Sequence, residues 1–182
     1  METPTDNNTR FKQIIRFYSL KFHFITVPLT LIIAIVHLRF AIKYIDECPI
    51  QPMINIYMIV HAAVHLSIML ITFLGVINIR CIYPRFQHPN QTVPRVILIS
   101  ILAVTLTLML FSFGWLIAGS VWVFGAKANG VQGSDSTDTT TYCQTELYRS
   151  AFVLLIVNYV VHIIIFSVLI FKRICQKQEN KE

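Results

Sequence analysis

Four long runs of apolar residues dominate the chain, and polar segments separate them. A helix needs about 20 mainly apolar residues to cross the hydrocarbon layer of a membrane, which is roughly 30 Å thick. Each run is long enough to do so. The pattern therefore predicts an all-α fold, a four-helix transmembrane bundle, with spans at residues 24–44, 55–76, 96–122 and 150–171.

Two prolines separate the first two runs. Pro49 and Pro52 both lie in a short polar turn, residues 46–52, that also contains Cys48. Proline lacks a backbone N–H and disfavours helix in the residue before it, so the runs before and after the turn are separate helices.

The first run is also too long for a cleavable signal peptide and lacks a small-residue cleavage site, so we expect it in the mature protein.

Composition agrees with a membrane protein. Of the 182 residues, 55% are hydrophobic and only 13% are charged, where a soluble domain carries about 25% charged residues. The lipid bilayer is therefore the first expected partner. Neither composition nor pattern distinguishes the plasma membrane from an internal membrane.

The charged residues predict the orientation. With four spans, both termini share one side, and that side and the middle loop hold most of the 15 basic residues: Arg10, Lys12, Arg16, Lys21, Arg80, Arg85, Arg95, Lys172, Arg173, Lys177 and Lys181. The positive-inside rule then places both termini in the cytoplasm. A nucleic-acid surface is the competing interpretation of the net charge of +6, but these residues flank spans and no nucleic-acid motif accompanies them.

On this topology the remaining segments alternate between the two sides. The cytoplasmic segments are the N-terminal segment (1–23), a loop (77–95) and the tail (172–182). The outer segments are a first loop (45–54) and a second loop (123–149). The Asn-x-Thr sequons at Asn7 and Asn90 then face the cytoplasm and stay without glycan.

Several stretches resemble a known family. They are residues 46–52 (DECPIQP), 56–60 (IYMIV), 115–123 (WLIAGSVWV) and 142–143 (YC). The chain resembles, over about residues 24–175, the transmembrane protein 272-like family of small four-span proteins without an assigned biochemical activity. The resemblance implies the four-span architecture and no particular activity. It also implies small residues where His61 and His65 stand, so this pair is not a device of the whole family.

The cysteines fall into two pairs. Cys48 and Cys143 both lie in outer loops, where an oxidising environment favours a disulfide; two free thiols are the alternative. Cys81 and Cys175 lie beside cytoplasmic membrane ends, where cysteines can carry palmitate or remain unmodified.

Four histidines, His37, His61, His65 and His162, lie within the predicted spans at similar depth. Imidazole titrates near neutrality and binds zinc or copper, so a proton pathway or a metal site is one interpretation. The other is that each imidazole hydrogen-bonds a neighbour such as Asn158 and holds helices together. No Asp or Glu lies in any span to orient an imidazole, which favours packing.

Small residues predict close helix packing in the third span, at Gly114, Ala118 and Gly119. Signatures of enzymes are missing, and the loops are too short for a catalytic domain, so we expect neither an enzyme nor a cofactor. The sequence favours a non-catalytic scaffold or accessory subunit that contacts other membrane proteins or itself. A small channel or transporter for protons or metal ions is the alternative.

Overall fold

The computed structural model describes residues 23–78 and 92–179. Within these ranges the chain is all-α with four helices, as the sequence predicts: α1 (His23–Lys43), α2 (Met53–Ile77), α3 (Thr92–Ala128) and α4 (Thr145–Glu179). The helices α3 and α4 extend beyond the spans predicted for them at both ends. Hydrophobic length alone marks the membrane-crossing part of a helix and not where the helix itself stops.

Three of the described helices are long and apolar enough to cross a membrane. The candidate spans are Met53–Ile77 in α2, Val96–Ala128 in α3 and Thr145–Val168 in α4. The structure therefore supports a multi-pass membrane protein. The helix α1 has 21 residues, with Pro28 inside it, and its crossing of the membrane remains a prediction from the sequence.

The turn between α1 and α2 explains how the two helices end and begin. Asp46 adopts a left-handed backbone conformation with φ of 62°, which aspartate tolerates better than most residues and which stops the helix. The Asn55 side-chain amide donates to the carbonyl oxygen of Tyr44 at 2.9 Å and so satisfies a carbonyl at the end of α1. Pro52 directly precedes α2, where its missing N–H costs nothing.

The described residues divide into two compact units. The first contains residues 23–36, 62–78 and 92–112, and the second contains residues 37–61 and 113–179. In the first unit, the hydroxyls of Ser67, Thr105 and Thr107 donate to carbonyls one turn earlier in their own helices, at 2.8 to 3.0 Å. These polar side chains are therefore satisfied without a partner from another helix.

Large apolar side chains are exposed along the helices. On α3, for example, Val121 is 66% exposed, while Leu116 and Val123 are fully buried. A continuous exposed apolar surface of this kind is unfavourable in water and favourable in lipid. The exposed faces of the candidate spans therefore suit contact with a bilayer.

Candidate functional site

A disulfide joins the two connecting loops of the second unit. Cys48 and Cys143 form the predicted bond, with their Cα atoms 4.0 Å apart, and both residues are buried. Two backbone hydrogen bonds run beside it. The Gln144 N–H donates to the Glu47 carbonyl at 2.8 Å, and the Ile50 N–H donates to the Tyr142 carbonyl at 3.3 Å. The first loop is thus held against the end of the second.

The second loop is folded by its own polar side chains. The carboxylate of Asp135 accepts from the hydroxyl and backbone N–H of Thr137, and that of Asp138 accepts from the hydroxyls of Thr140 and Thr141. These donors lower the pKa of both carboxyl groups. Because the folded pKa is lowered, the carboxylates support the loop above their ordinary pKa, and that support is lost as the pH falls through the lowered pKa.

A cluster of polar and aromatic side chains is fully buried among the helices of the second unit. This buried cluster consists of His37 on α1, Tyr57 and His61 on α2, and Asn158 on α4, all of them 0% exposed. The ring centroids of His37 and His61 are 5.1 Å apart, and those of Tyr57 and His61 are 5.5 Å apart. The cluster therefore brings together two of the four predicted histidines.

The Asn158 side chain connects α4 to α1. Its amide nitrogen donates to the Leu154 carbonyl at 2.7 Å and lies 3.3 Å from Nε2 of His37. An amide has two N–H donors and can serve both partners. Nε2 of His37 is then the acceptor, so the proton of the neutral imidazole is assigned to Nδ1. If His37 were protonated, its Nε2–H and the N–H of the Asn158 amide would be two donors facing each other at this contact.

The Tyr57 ring packs where α3 has no side chain. A Cβ atom added at Gly119 would overlap the Tyr57 ring. The indole N–H of Trp115 donates to the Tyr57 carbonyl at 3.2 Å, which fixes the same turn of α2 against α3. The hydroxyls of Ser120 and Tyr159, 2.8 Å apart, join α3 to α4 next to this contact.

The three small residues predicted for packing have different surroundings. Gly119 is buried against the Tyr57 ring, and Ala118 is half-buried. Gly114 is exposed, and apart from its own stretch of helix backbone no heavy atom of the described residues lies within 4 Å of the position that its Cβ would take. Within the second unit, close approach of a neighbouring side chain thus requires glycine at Gly119 and not at Gly114.

The other two predicted histidines contact a hydroxyl and a backbone carbonyl. Nε2 of His65, in the first unit, lies 3.5 Å from the Ser112 hydroxyl. Nδ1 of His162 lies 2.8 Å from the Asn158 carbonyl, and its ring is 6.1 Å from that of Phe113. Among residues 23–78 and 92–179, no three His, Cys, Asp or Glu side chains come together in a way that could hold a metal ion.

The structure does not describe the side chains of two predicted residues. The palmitoylation candidates Cys81 and Cys175 are not among the residues whose side chains the structure describes.

The sequence reasoning missed Tyr57 as a member of the site. Tyr57 precedes His61 by four residues, so both lie on one face of α2. The sequence therefore held two signals for Tyr57. One is this spacing, and the other is the phenol hydroxyl, a polar group that an otherwise apolar span must accommodate. The missing information was which residue of another helix faces Tyr57.

The long apolar helices and the polar residues buried among them define the class of this chain as a multi-pass membrane protein. No protein-family model, curated protein or solved structure matches it.

The contact between Asn158 and His37 gives a first prediction. We expect Asn158→Leu to lower the free energy of unfolding by about 1 kcal/mol, because the buried Nε2 of His37 loses this donor. His37→Leu should have a similar cost, and the double variant should cost clearly less than the sum. Thermal unfolding of the four proteins in one detergent gives the coupling energy. Strictly additive losses would mean that the contact contributes nothing.

Proposed function

We propose that the protein is a non-catalytic membrane scaffold or accessory subunit. It spans the membrane four times, with both termini in the cytoplasm, and it acts through its helix surfaces and its disulfide-linked outer loops. Its intramembrane polar residues hold its own helices together. The resemblance to the transmembrane protein 272-like family supports the four-span arrangement and adds no activity.

This proposal rests on the hydrogen bonds that polar groups make in the second unit. They connect different helices in pairs: His37 to Asn158, Trp115 to the Tyr57 carbonyl, Ser120 to Tyr159, and the Tyr148 hydroxyl to the Val123 carbonyl at 3.2 Å. Hydrogen bonds between membrane helices contribute roughly 0.6 kcal/mol each on average. Several of them around one buried cluster suit a rigid bundle.

Transport of protons or metal ions is the second candidate function. It is favoured by one contact, the 5.1 Å separation of the His37 and His61 ring centroids, because neighbouring imidazoles can exchange a proton. Against it, both rings are fully buried and pack against the Tyr57 ring. A side chain that fills the space beside the imidazoles suits packing better than a water-filled path.

Flux measurements separate the two functions. Purified protein in liposomes should pass protons and zinc no faster than empty vesicles do, and His37→Ala and His61→Ala should not change the rate. A wild-type flux above that of empty vesicles, lost in His37→Ala and kept in a His65→Ala control, would establish transport and overturn the scaffold proposal.

A scaffold must also contact another chain. Cross-linking in native membranes through the exposed amine of Lys127, at the end of α3, should join the protein to a second copy or to another membrane protein. Cross-links confined to the chain itself would contradict this proposal independently of the flux result.

A further inference from the structure

Two exposed basic residues end helix α1. Arg39 and Lys43 are four residues apart and therefore lie on one face, about one helical turn from each other. The exposed apolar side chains of Ile42 and Ile45 lie beside them, 59% and 57% exposed. Two cations thus adjoin an apolar surface near the end of a helix that is proposed to cross the membrane.

No acidic side chain among residues 23–78 and 92–179 neutralises these cations. In the part of the chain that the structure describes, the Arg39 guanidinium has no hydrogen bond or ion pair, and the Lys43 ammonium only lies 4.7 Å from the centroid of the Tyr44 ring. Asp46 and Glu47 follow within a few residues and pair with neither cation. The Glu47 carboxylate instead accepts from the Tyr142 hydroxyl at 3.5 Å.

Basic residues in the last turn of a helix also interact favourably with its dipole. That interaction explains a positive charge at Lys43, and it falls off within the last turn. It does not supply an acceptor for the five N–H groups of the Arg39 guanidinium. An anion with several oxygens would supply that acceptor.

We propose that Arg39 and Lys43 bind the phosphate of an anionic phospholipid whose acyl chains lie along Ile42 and Ile45. The guanidinium matches two phosphate oxygens through parallel N–H donors, and the ammonium adds a second positive charge one turn away. A lipid fits both halves of this surface, because its phosphate lies at the depth of the helix end and its chains lie in the hydrocarbon layer. The proposal rests on the proposed four-span arrangement, in which α1 crosses the membrane in addition to the three candidate spans.

Native mass spectrometry of the full chain in a maltoside detergent tests this site. Phosphatidylglycerol is the probe, diacylglycerol with the same chains lacks the phosphate, and inorganic phosphate lacks the chains. We expect phosphatidylglycerol to remain bound, diacylglycerol to dissociate, and inorganic phosphate not to displace the lipid. The double variant Arg39→Gln, Lys43→Gln should reduce lipid affinity at least about tenfold, the factor expected for the loss of one charge-assisted hydrogen bond.

Two further variants sharpen the result. Arg39→Lys keeps the charge and loses the planar fork, so its affinity should fall between those of wild type and the double variant. Arg149→Gln is the matched control, because Arg149 is an exposed arginine near the start of α4 with Glu146 three residues before it, and it should bind as wild type does.

Three outcomes would overturn the proposal. They are unchanged lipid affinity in the double variant, equal retention of diacylglycerol, and displacement of the lipid by inorganic phosphate, which would indicate a site for free anions. Lipid retention is measured apart from ion flux and cross-linking, so failure of this site and failure of the scaffold role give different results.

Discussion

Gly119→Ala is expected to lower the free energy of unfolding by about 1–3 kcal/mol, the usual cost of forcing extra volume into a packed interior. The added Cβ would overlap the Tyr57 ring, whose Cζ lies 2.7 Å from that position. The ring cannot move away easily, because it is fully buried and packs against the rings of His37 and His61.

Gly114→Ala is the matched control for this prediction. Both substitutions make the same chemical change in the same helix, and both gain the higher helix propensity of alanine, up to about 1 kcal/mol. Apart from its own stretch of helix backbone, Gly114 has no heavy atom of the described residues within 4 Å of its Cβ position, so its variant should be as stable as wild type or slightly more stable. The difference between the two variants therefore measures the overlap with Tyr57 alone.

Thermal unfolding followed by fluorescence-detected gel filtration in one detergent is sufficient for this comparison. A second change should rescue the first: in a Tyr57→Leu background the smaller side chain leaves room for the Cβ, and Gly119→Ala should then cost little. Equal unfolding temperatures for the two alanine variants would mean that α2 and α3 do not pack through Tyr57 and Gly119.

The number and type of the helices could be predicted because hydrophobic length is a property of each segment alone. The turn at residues 46–52 likewise follows from local chemistry, since two prolines close together disfavour a continuous helix, whereas the single Pro28 lies inside α1. Predicting the Cys48–Cys143 bond required one further step, the prediction that both cysteines lie in loops on the same side of the membrane. Each of these inferences needs no knowledge of how the helices are rotated.

Rotation about the helix axis is what the sequence does not supply. Gly114 and Gly119 are five residues apart, and at about 100° per residue they point some 140° away from each other. Both are small and both fit a packing motif, yet only Gly119 meets a neighbouring ring within the second unit. In a span that is apolar on all sides, no hydrophobic face indicates which side is turned inward.

The histidines show the same limit. Their similar predicted depth is compatible with convergence of the four imidazoles, but depth does not give the direction in which each side chain points from its helix. In the second unit His37 meets His61, while His162 meets a backbone carbonyl one turn earlier in its own helix. His65 belongs to the first unit, where it meets Ser112. The position of each imidazole around its helix decided these contacts.

Loss of the Cys48–Cys143 bond should have the other large effect on stability. Removing a native disulfide typically costs about 2–5 kcal/mol, and we expect the lower end of that range because membrane insertion already restricts the reduced chain. Cys48→Ser, Cys143→Ser and the double variant break the same single bond, so all three should lose the same amount. Wild type treated with a reductant should match them.

A cut in the second loop tests the bond directly. A specific protease site inserted between Ser136 and Thr137 lies in an exposed stretch, so cleavage there leaves Cys48 and Cys143 on different fragments. In wild type the fragments should migrate together on a non-reducing gel and separate after reduction, whereas in Cys143→Ser they should separate in both. Separation of the wild-type fragments without reductant would show that the bond is not formed.

The same cut separates the contribution of the bond from that of the hydrogen bonds beside it. Without the disulfide, the loops are held by the backbone bonds from Gln144 to Glu47 and from Ile50 to Tyr142, each worth roughly 0.5–1.5 kcal/mol. Cleaved wild type should therefore unfold at nearly the same temperature as the uncut protein, while cleaved Cys143→Ser should unfold well below uncut Cys143→Ser. Equal losses on cleavage would mean that these hydrogen bonds, and not the disulfide, hold the two loops together.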